Sequence, residues 1–214
     1  MKVKTQLAGI LGVCAVLALP ASAQDTRWYF NAAAGGNWAQ DAAIKIENIG
    51  SGDLELDLGV RFSAGVGYNL NKNWSVEFDT GFTFNSIDKI KIGSESDSFH
   101  DSSFSHVPLM VNLVYRYPLG AQWETYIGGG AGGVYSVLTL DESDLDLDDD
   151  DADVVFGWQA MAGVRYLIRE NMSVGVGYKY MGTAKGEYEI NDLGKVEIES
   201  VHNHSFGAVF NWKF

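Results

Sequence analysis

The chain has 214 residues, with 46% hydrophobic and 13% aromatic side chains, 15 Lys+Arg against 28 Asp+Glu, and a formal charge of −13 at pH 7. That acidity argues against nucleic acid as a partner, because phosphate binding needs clustered Lys and Arg. The single cysteine, Cys14, lies in the N-terminal apolar run, so the remainder of the chain has no disulfide or thiol chemistry.

The first residues, Met1-Lys2-Val3-Lys4, are basic. An apolar stretch from Leu7 to Leu19 comes next, then Pro20-Ala21-Ser22-Ala23. A basic start, a short apolar core and an Ala-x-Ala site describe a cleavable secretory signal over residues 1–23. A lipoprotein reading of Cys14 fits poorly, because Val13 precedes it and the apolar run continues past it. Cleavage leaves residues 24–214, with 13 Lys+Arg against 28 Asp+Glu and a formal charge of −15. No later stretch approaches the ~20 apolar residues of a spanning helix. A membrane location would therefore require strands.

Strand periodicity dominates the rest of the chain. Residues 27–39 place Trp28, Phe30, Ala32, Ala34, Gly36 and Trp38 on one face. After a polar stretch, Leu54, Leu56, Leu58, Val60, Phe62, Ala64, Val66, Tyr68 and Leu70 alternate with charged or small residues, which predicts one strand over 54–70. Asn71-Lys72-Asn73 turns into a third strand over 74–85, and a polar segment over 86–103 leads to a fourth over 107–117. Pro118-Leu119-Gly120 is a turn signal. A glycine-rich strand over 123–138, the acidic run from Asp141 through Asp153 and a strand over 158–168 come next. Arg169-Glu170-Asn171 turns into the strand 172–180, a polar segment covers 183–200, and the strand 205–214 carries Phe206, Ala208, Phe210, Trp212 and Phe214 on one face.

The count is eight strands joined by alternating long and short connections. That is the pattern of an all-β, eight-stranded antiparallel up-and-down transmembrane β-barrel. Residues 64–76 and 162–174 match at seven positions across a short turn, so the repeated unit is a hairpin. Volume decides which face is inside. A small barrel holds only its own side chains or one small ligand, and the apolar face is too bulky for that space. Aromatics therefore face lipid, with Tyr68, Trp74, Tyr117, Trp123, Tyr166, Trp212 and Phe214 near the short-turn ends as an interfacial girdle. Small and charged residues face inward, Glu55 and Asp57 among them. Buried charges need partners, so an ionic network is expected around Arg61, Glu77, Asp79, Arg116, Glu124, Arg165 and Lys179. Such a network either fills the interior or lines a narrow polar path.

The chain resembles the outer-membrane β-barrel domain family, which includes opacity-type and outer-membrane-protein-A-like small porins. The likeness is carried by Trp28-Tyr29-Phe30 with Ala34-Gly35-Gly36, by the two Ala-Gly-Val-x-Tyr hairpins, by Val107-Pro108-Leu109-Met110-Val111-Asn112-Leu113, by Tyr126-Ile127-Gly128-Gly129-Gly130-Ala131-Gly132, and by the Phe-terminated last strand. The resemblance implies a cell outer-membrane location in a Gram-negative-type envelope, with the N-terminus periplasmic and the long loops extracellular. It implies outer-membrane lipid and lipopolysaccharide as surroundings. It also implies the barrel-assembly machinery and periplasmic chaperones as biogenesis partners, with Phe210, Trp212 and Phe214 as the assembly signal. An envelope scaffold or surface-interaction protein is the expected role, and a narrow channel for small solutes the alternative.

Other chemistry is weakly supported. The acidic run 141–153 could attract divalent cations diffusely, but it lacks the glycine placement and closing Glu of an EF-hand loop. His202 and His204 share a face without an evident third metal ligand and read as interfacial side chains. A lipid-modifying enzyme would need a His-activated serine. His100-Asp101-Ser102 sits in a Ser-rich loop, and His204 and Ser205, being adjacent, point to opposite faces. No cofactor is expected. Weak alternation at 44–46, 90–92, 188–190 and 196–198 predicts that strands extend past the bilayer as a raised rim.

Overall fold

A computed structural model describes residues 27–46, 50–92, 95–98, 102–142, 147–190 and 194–214. The expected signal segment lies outside the described residues, as do His100, Asp101 and residues 143–146 of the acidic run. The described chain is all strand: β1 (Trp28–Ala39), β2 (Ala42–Ile46), β3 (Gly50–Leu56), β4 (Gly59–Asn69), β5 (Trp74–Ile92), β6 (Glu95–Ser98), β7 (Ser103–Pro118), β8 (Trp123–Glu142), β9 (Leu147–Arg169), β10 (Met172–Thr183), β11 (Gly186–Ile190), β12 (Gly194–Ile198) and β13 (His202–Lys213).

Eight of these close a ring. β1 pairs with β4, then β5, β7, β8, β9, β10 and β13 come in turn, and β13 pairs back with β1, every pairing antiparallel. This is the eight-stranded up-and-down barrel that the alternation predicts. Closure leaves no sheet edge in the apolar zone, as a strand structure in lipid requires. The three short turns sit at one end. In the first, the Asn71 side-chain oxygen accepts the backbone N–H groups of Asn73 and Trp74, both at 2.9 Å, a local substitute for backbone pairing. In the second, Gly120 has φ +122°, a conformation that costs glycine little.

The outer surface is apolar. Phe62 is 56% exposed, Phe78 50%, Val111 56% and Ile127 63%. A monomeric soluble protein rarely presents a contiguous surface of this kind. At the short-turn end, ring pairs Trp28–Tyr68, Trp74–Tyr115 and Trp123–Tyr166 have centroids 4.9–5.1 Å apart. They form the girdle on the side where the sequence places it.

The long-loop end is more ordered than the sequence reading has it. β5, β8 and β9 contain 19, 20 and 23 residues, against about 9–11 for a membrane crossing. Much of the acidic run, expected as a loop, is therefore strand in the β8–β9 hairpin, with Glu142 opposite Leu147. Two further hairpins, β2–β3 and β11–β12, join through β2–β12 pairing, and β3 continues onto the upper part of β5. Together these strands build the raised rim.

The predicted strand 54–70 is a correction. It breaks at Asp57 and Leu58 into β3 and β4, and the β3–β5 register shifts between Glu55 and Leu56. Irregularities of this kind add a residue and reverse which face a side chain takes. Leu54, in step with Phe62 by sequence, is fully buried, whereas Phe62 faces out. For the same reason Glu55 and Asp57, expected inside the barrel, are not in its ion network: Glu55 lies on the rim strand β3 and Asp57 is exposed at the break.

Candidate functional site: the ion-paired interior and its apolar cap

Inward positions of the barrel strands carry Asn, Ser, Gly and the charged residues, and the geometry arranges them in tiers. Nearest the short turns, Arg116 donates to the Asn69 side chain and its guanidinium lies 5.6 Å from the Tyr29 ring. Arg165 pairs with Glu124 at 2.9 Å and sits over the Tyr126 ring at 4.5 Å. The Tyr29 hydroxyl donates to Glu77 Oε2 at 3.0 Å and lies 3.0 Å from Ser75 Oγ. Both rings fit because glycines face them: a Cβ on Gly67 would enter the Tyr29 ring, and one on Gly163 or Gly177 would strike Tyr126.

One tier higher, Lys179 pairs with Asp79 at 2.6 Å. Gln159 Nε2 donates to Asp79 Oδ2 at 3.2 Å and to Asn112 Oδ1 at 2.8 Å. Arg61 is only 4% exposed. One of its nitrogens reaches Met181 Sδ at 3.8 Å, while Nε and Nη2 have no hydrogen-bond partner among the described residues. A cavity of about 80 Å³ lies here, its lining including Tyr29, Asn31, Arg61, Ser63, Glu77, Val114, Tyr126, Met161, Arg165, Lys179, Ser205 and Val209. All seven charged residues singled out from the sequence thus face one lumen. They form two ion pairs and a set of hydrogen bonds, and Arg61 stands apart.

Above them the chemistry changes. Met110, Met181, Val134 and Val155 form a buried apolar layer. An amide cluster sits beside it on β1, β5 and β13, with Asn203 opposite Met181 and Ser205 opposite Lys179 in the register. In it Asn37 Nδ2 donates to Asn85 and Asn203 at 2.8 and 2.9 Å and Ser205 donates to Asn37 at 2.6 Å. Inside the rim, Ile44, Ile46, Leu54, Ile87, Phe104, Leu138, Tyr188, Val196, Ile198 and neighbours pack as one buried cluster. The rim therefore reverses the pattern of the membrane zone, with apolar side chains inside. The sequence reading misses this cap; the short Ile-x-Ile and Val-x-Ile alternations in the long connections are its only signal.

The rim is held by polar contacts on its outside. Asp153 and Asp151 accept the backbone N–H groups of Glu187 (3.1 Å) and Glu189 (2.7 Å), fastening β11 beside β9 by side chains. Lys185 pairs with Glu197 at 2.8 Å, and Lys195 with Glu187 at 2.8 Å. The Lys185 ammonium holds Glu197 below the usual carboxylate range, and Glu197 holds Lys185 above its ordinary value. Burial pushes the Tyr188 hydroxyl above its ordinary value.

His202 and His204 lie on the outer face near the long-loop end. His204 Nδ1 is 2.7 Å from the Tyr178 hydroxyl, His202 Nδ1 is 2.9 Å from that of Tyr180, and Trp38 stacks on His204. They belong to a second interfacial belt. Ser205, directed inward, is on the opposite side of the wall from His204. Phe210, Trp212 and Phe214 lie on the outer face of β13 and beyond its end, with Trp212 and Phe214 in ring contact at 5.5 Å.

A lipid-facing apolar surface, two aromatic belts and a polar, ion-paired lumen define a transmembrane β-barrel. The family comparison agrees: the model of the outer membrane protein beta-barrel domain matches residues 10–214. The chain belongs to this family and is an outer-membrane barrel protein. Among solved structures it is similar to OprG from Pseudomonas aeruginosa, at 18% identity and TM-score 0.60, covering 87% of this chain and 95% of that one. It is also similar to Neisserial surface protein A (19%, TM-score 0.52, 87% and 97% covered) and to AlkL in DMPC bilayers (20%, TM-score 0.51, 92% and 96% covered). At these identities the likeness is one of fold. No curated protein matches the chain.

Proposed function

We propose that the protein is a closed outer-membrane barrel acting as an envelope scaffold or surface-interaction protein, with its rim as the interacting part. The observation that carries this reading is the apolar cap. Side chains such as Leu54, Leu138 and Val196 are fully buried within the rim, and a packed apolar cluster across the mouth offers a hydrated solute no path. The ordered, acidic rim above it suits recognition, since function concentrates where loops are displayed on a rigid scaffold. In this reading the short turns and N-terminus are periplasmic and the rim is extracellular. Lipopolysaccharide surrounds the outer belt of Trp38, Tyr178, Tyr180, His202 and His204. Phe210, Trp212 and Phe214 present the assembly signal to periplasmic chaperones and the barrel-assembly machinery. The protein performs no catalysis, and divalent cations meet the 141–153 hairpin only diffusely.

A narrow channel is the second reading, favoured by the cavity among the ion pairs. Solute uptake by vesicles containing the refolded protein separates the two. The scaffold reading predicts no uptake above that of empty vesicles and loss of cell-surface binding when the β2–β3 and β11–β12 hairpins are shortened. Uptake that changes selectivity in Asp79→Asn supports the channel instead.

A further inference from the structure

We infer that the lumen cavity beside Arg61 is a binding site for a small inorganic anion of chloride size. Four buried side-chain atoms on its wall lack a hydrogen-bond partner among the described residues: Asn31 Nδ2, Arg61 Nε, Arg61 Nη2 and Arg165 Nε. All four are donors, so the occupant that satisfies them is an acceptor. The charge balance points the same way. Among the seven charged residues of this lumen, four cations (Arg61, Arg116, Arg165, Lys179) face three anions (Glu77, Asp79, Glu124). Arg165 is paired with Glu124 and Lys179 with Asp79, which leaves Glu77 against two guanidiniums. Arg61 is buried to 4% exposure with a sulfur contact and no ion pair. A guanidinium cannot shed its proton to escape burial, and an uncompensated buried charge is strongly destabilising. Water can accept from Arg61 but brings no charge; an anion supplies both acceptor and charge. The cavity, at about 80 Å³, exceeds the ~10–15 Å³ that one water needs on this measure, so a halide and accompanying water fit. Met181, part of the buried apolar layer, contacts Arg61, which keeps the site in a low-dielectric setting where its electrostatics are strong.

The test uses protein refolded into vesicles in chloride, in bromide or in gluconate, an anion too large for the cavity, at matched ionic strength. A ligand bound only by the folded state stabilises by mass action, so chloride at about 100 times its Kd shifts the unfolding equilibrium ~100-fold. The expected result is a urea midpoint higher in chloride than in gluconate, a difference abolished in Arg61→Gln. Crystals of unmutated protein refolded in bromide are expected to show an anomalous peak within hydrogen-bond reach of the Arg61 guanidinium, a readout independent of how well the variant folds. Equal midpoints in chloride and gluconate, with no bromide peak in the lumen, mean that the cavity holds water alone and overturn the inference.

Discussion

Individual side chains in the lumen are under two opposite pressures, size and charge. The size limit is clearest at Gly67, whose missing Cβ leaves room for the Tyr29 ring. Gly67→Val is expected to displace Tyr29 from Glu77 and cost about 1–3 kcal/mol, read as a lower urea midpoint of refolded protein. The charge limit is clearest at Lys179 and Asp79, whose 2.6 Å contact is inside the barrel. Lys179→Met leaves Asp79 buried without its cation and is expected to cost about 3–5 kcal/mol, while Lys179→Met with Asp79→Leu recovers most of that loss. A double-variant loss equal to the sum of the two single-variant losses would show that the pair does not couple. The membership of this lumen was legible in the sequence because inward positions alternate strictly with outward ones from Trp74 to Asn85 and over 158–168. Its pairing was not: which cation meets which anion depends on register around a closed ring, and β5 and β10, which carry Asp79 and Lys179, are not neighbours in that ring.

At the scale of elements, the boundary between membrane barrel and rim is the place where one pattern becomes the other. Eight strands and their three tight turns could be read from periodicity and from Asn71-Lys72-Asn73, Pro118-Leu119-Gly120 and Arg169-Glu170-Asn171. The rim could be anticipated as an extension but not as a core. A break at Asp57 and Leu58 inverts the faces without interrupting the alternation of residue types, so Leu54 and Phe62 look equivalent in sequence and end on opposite sides. Leu54→Asp is therefore expected to loosen the rim while sparing the barrel. The check is protease cleavage within the β2–β3 and β11–β12 hairpins together with retained heat-modifiable migration. Acid acts on the same hairpins. Glu197 titrates below its ordinary value near 4.5 because of Lys185, so its stabilising contribution is present above that value and lost as pH falls through the lowered one. Lys185 is raised above 10.5, so its contribution is complete below that value and lost as pH rises through the raised one. Protection of the β12 amides, with exchange corrected for its intrinsic pH dependence, is expected to be high across the interval between them and lower at either extreme. Protection in β12 unchanged below pH 4.5, in contrast, would remove the ion pair from the account.

For the whole molecule, an ion-paired lumen, an apolar layer with an amide cluster beside it, and an apolar cap describe a filled cylinder. A filled barrel is a stiff support that holds its rim in place, which is the basis of the scaffold reading. Fold and membrane class could be read from the sequence, because lipid imposes the same constraints on every residue of a crossing strand. Whether the cylinder conducts could not, because that depends on side-chain packing in connections that look polar and irregular. Single-channel recording of refolded protein in planar bilayers, with folding established by heat-modifiable migration, addresses this directly. A closed cylinder predicts a silent bilayer from the unmutated protein. Steady ohmic openings from the unmutated protein, altered in selectivity by Asp79→Asn, would contradict it.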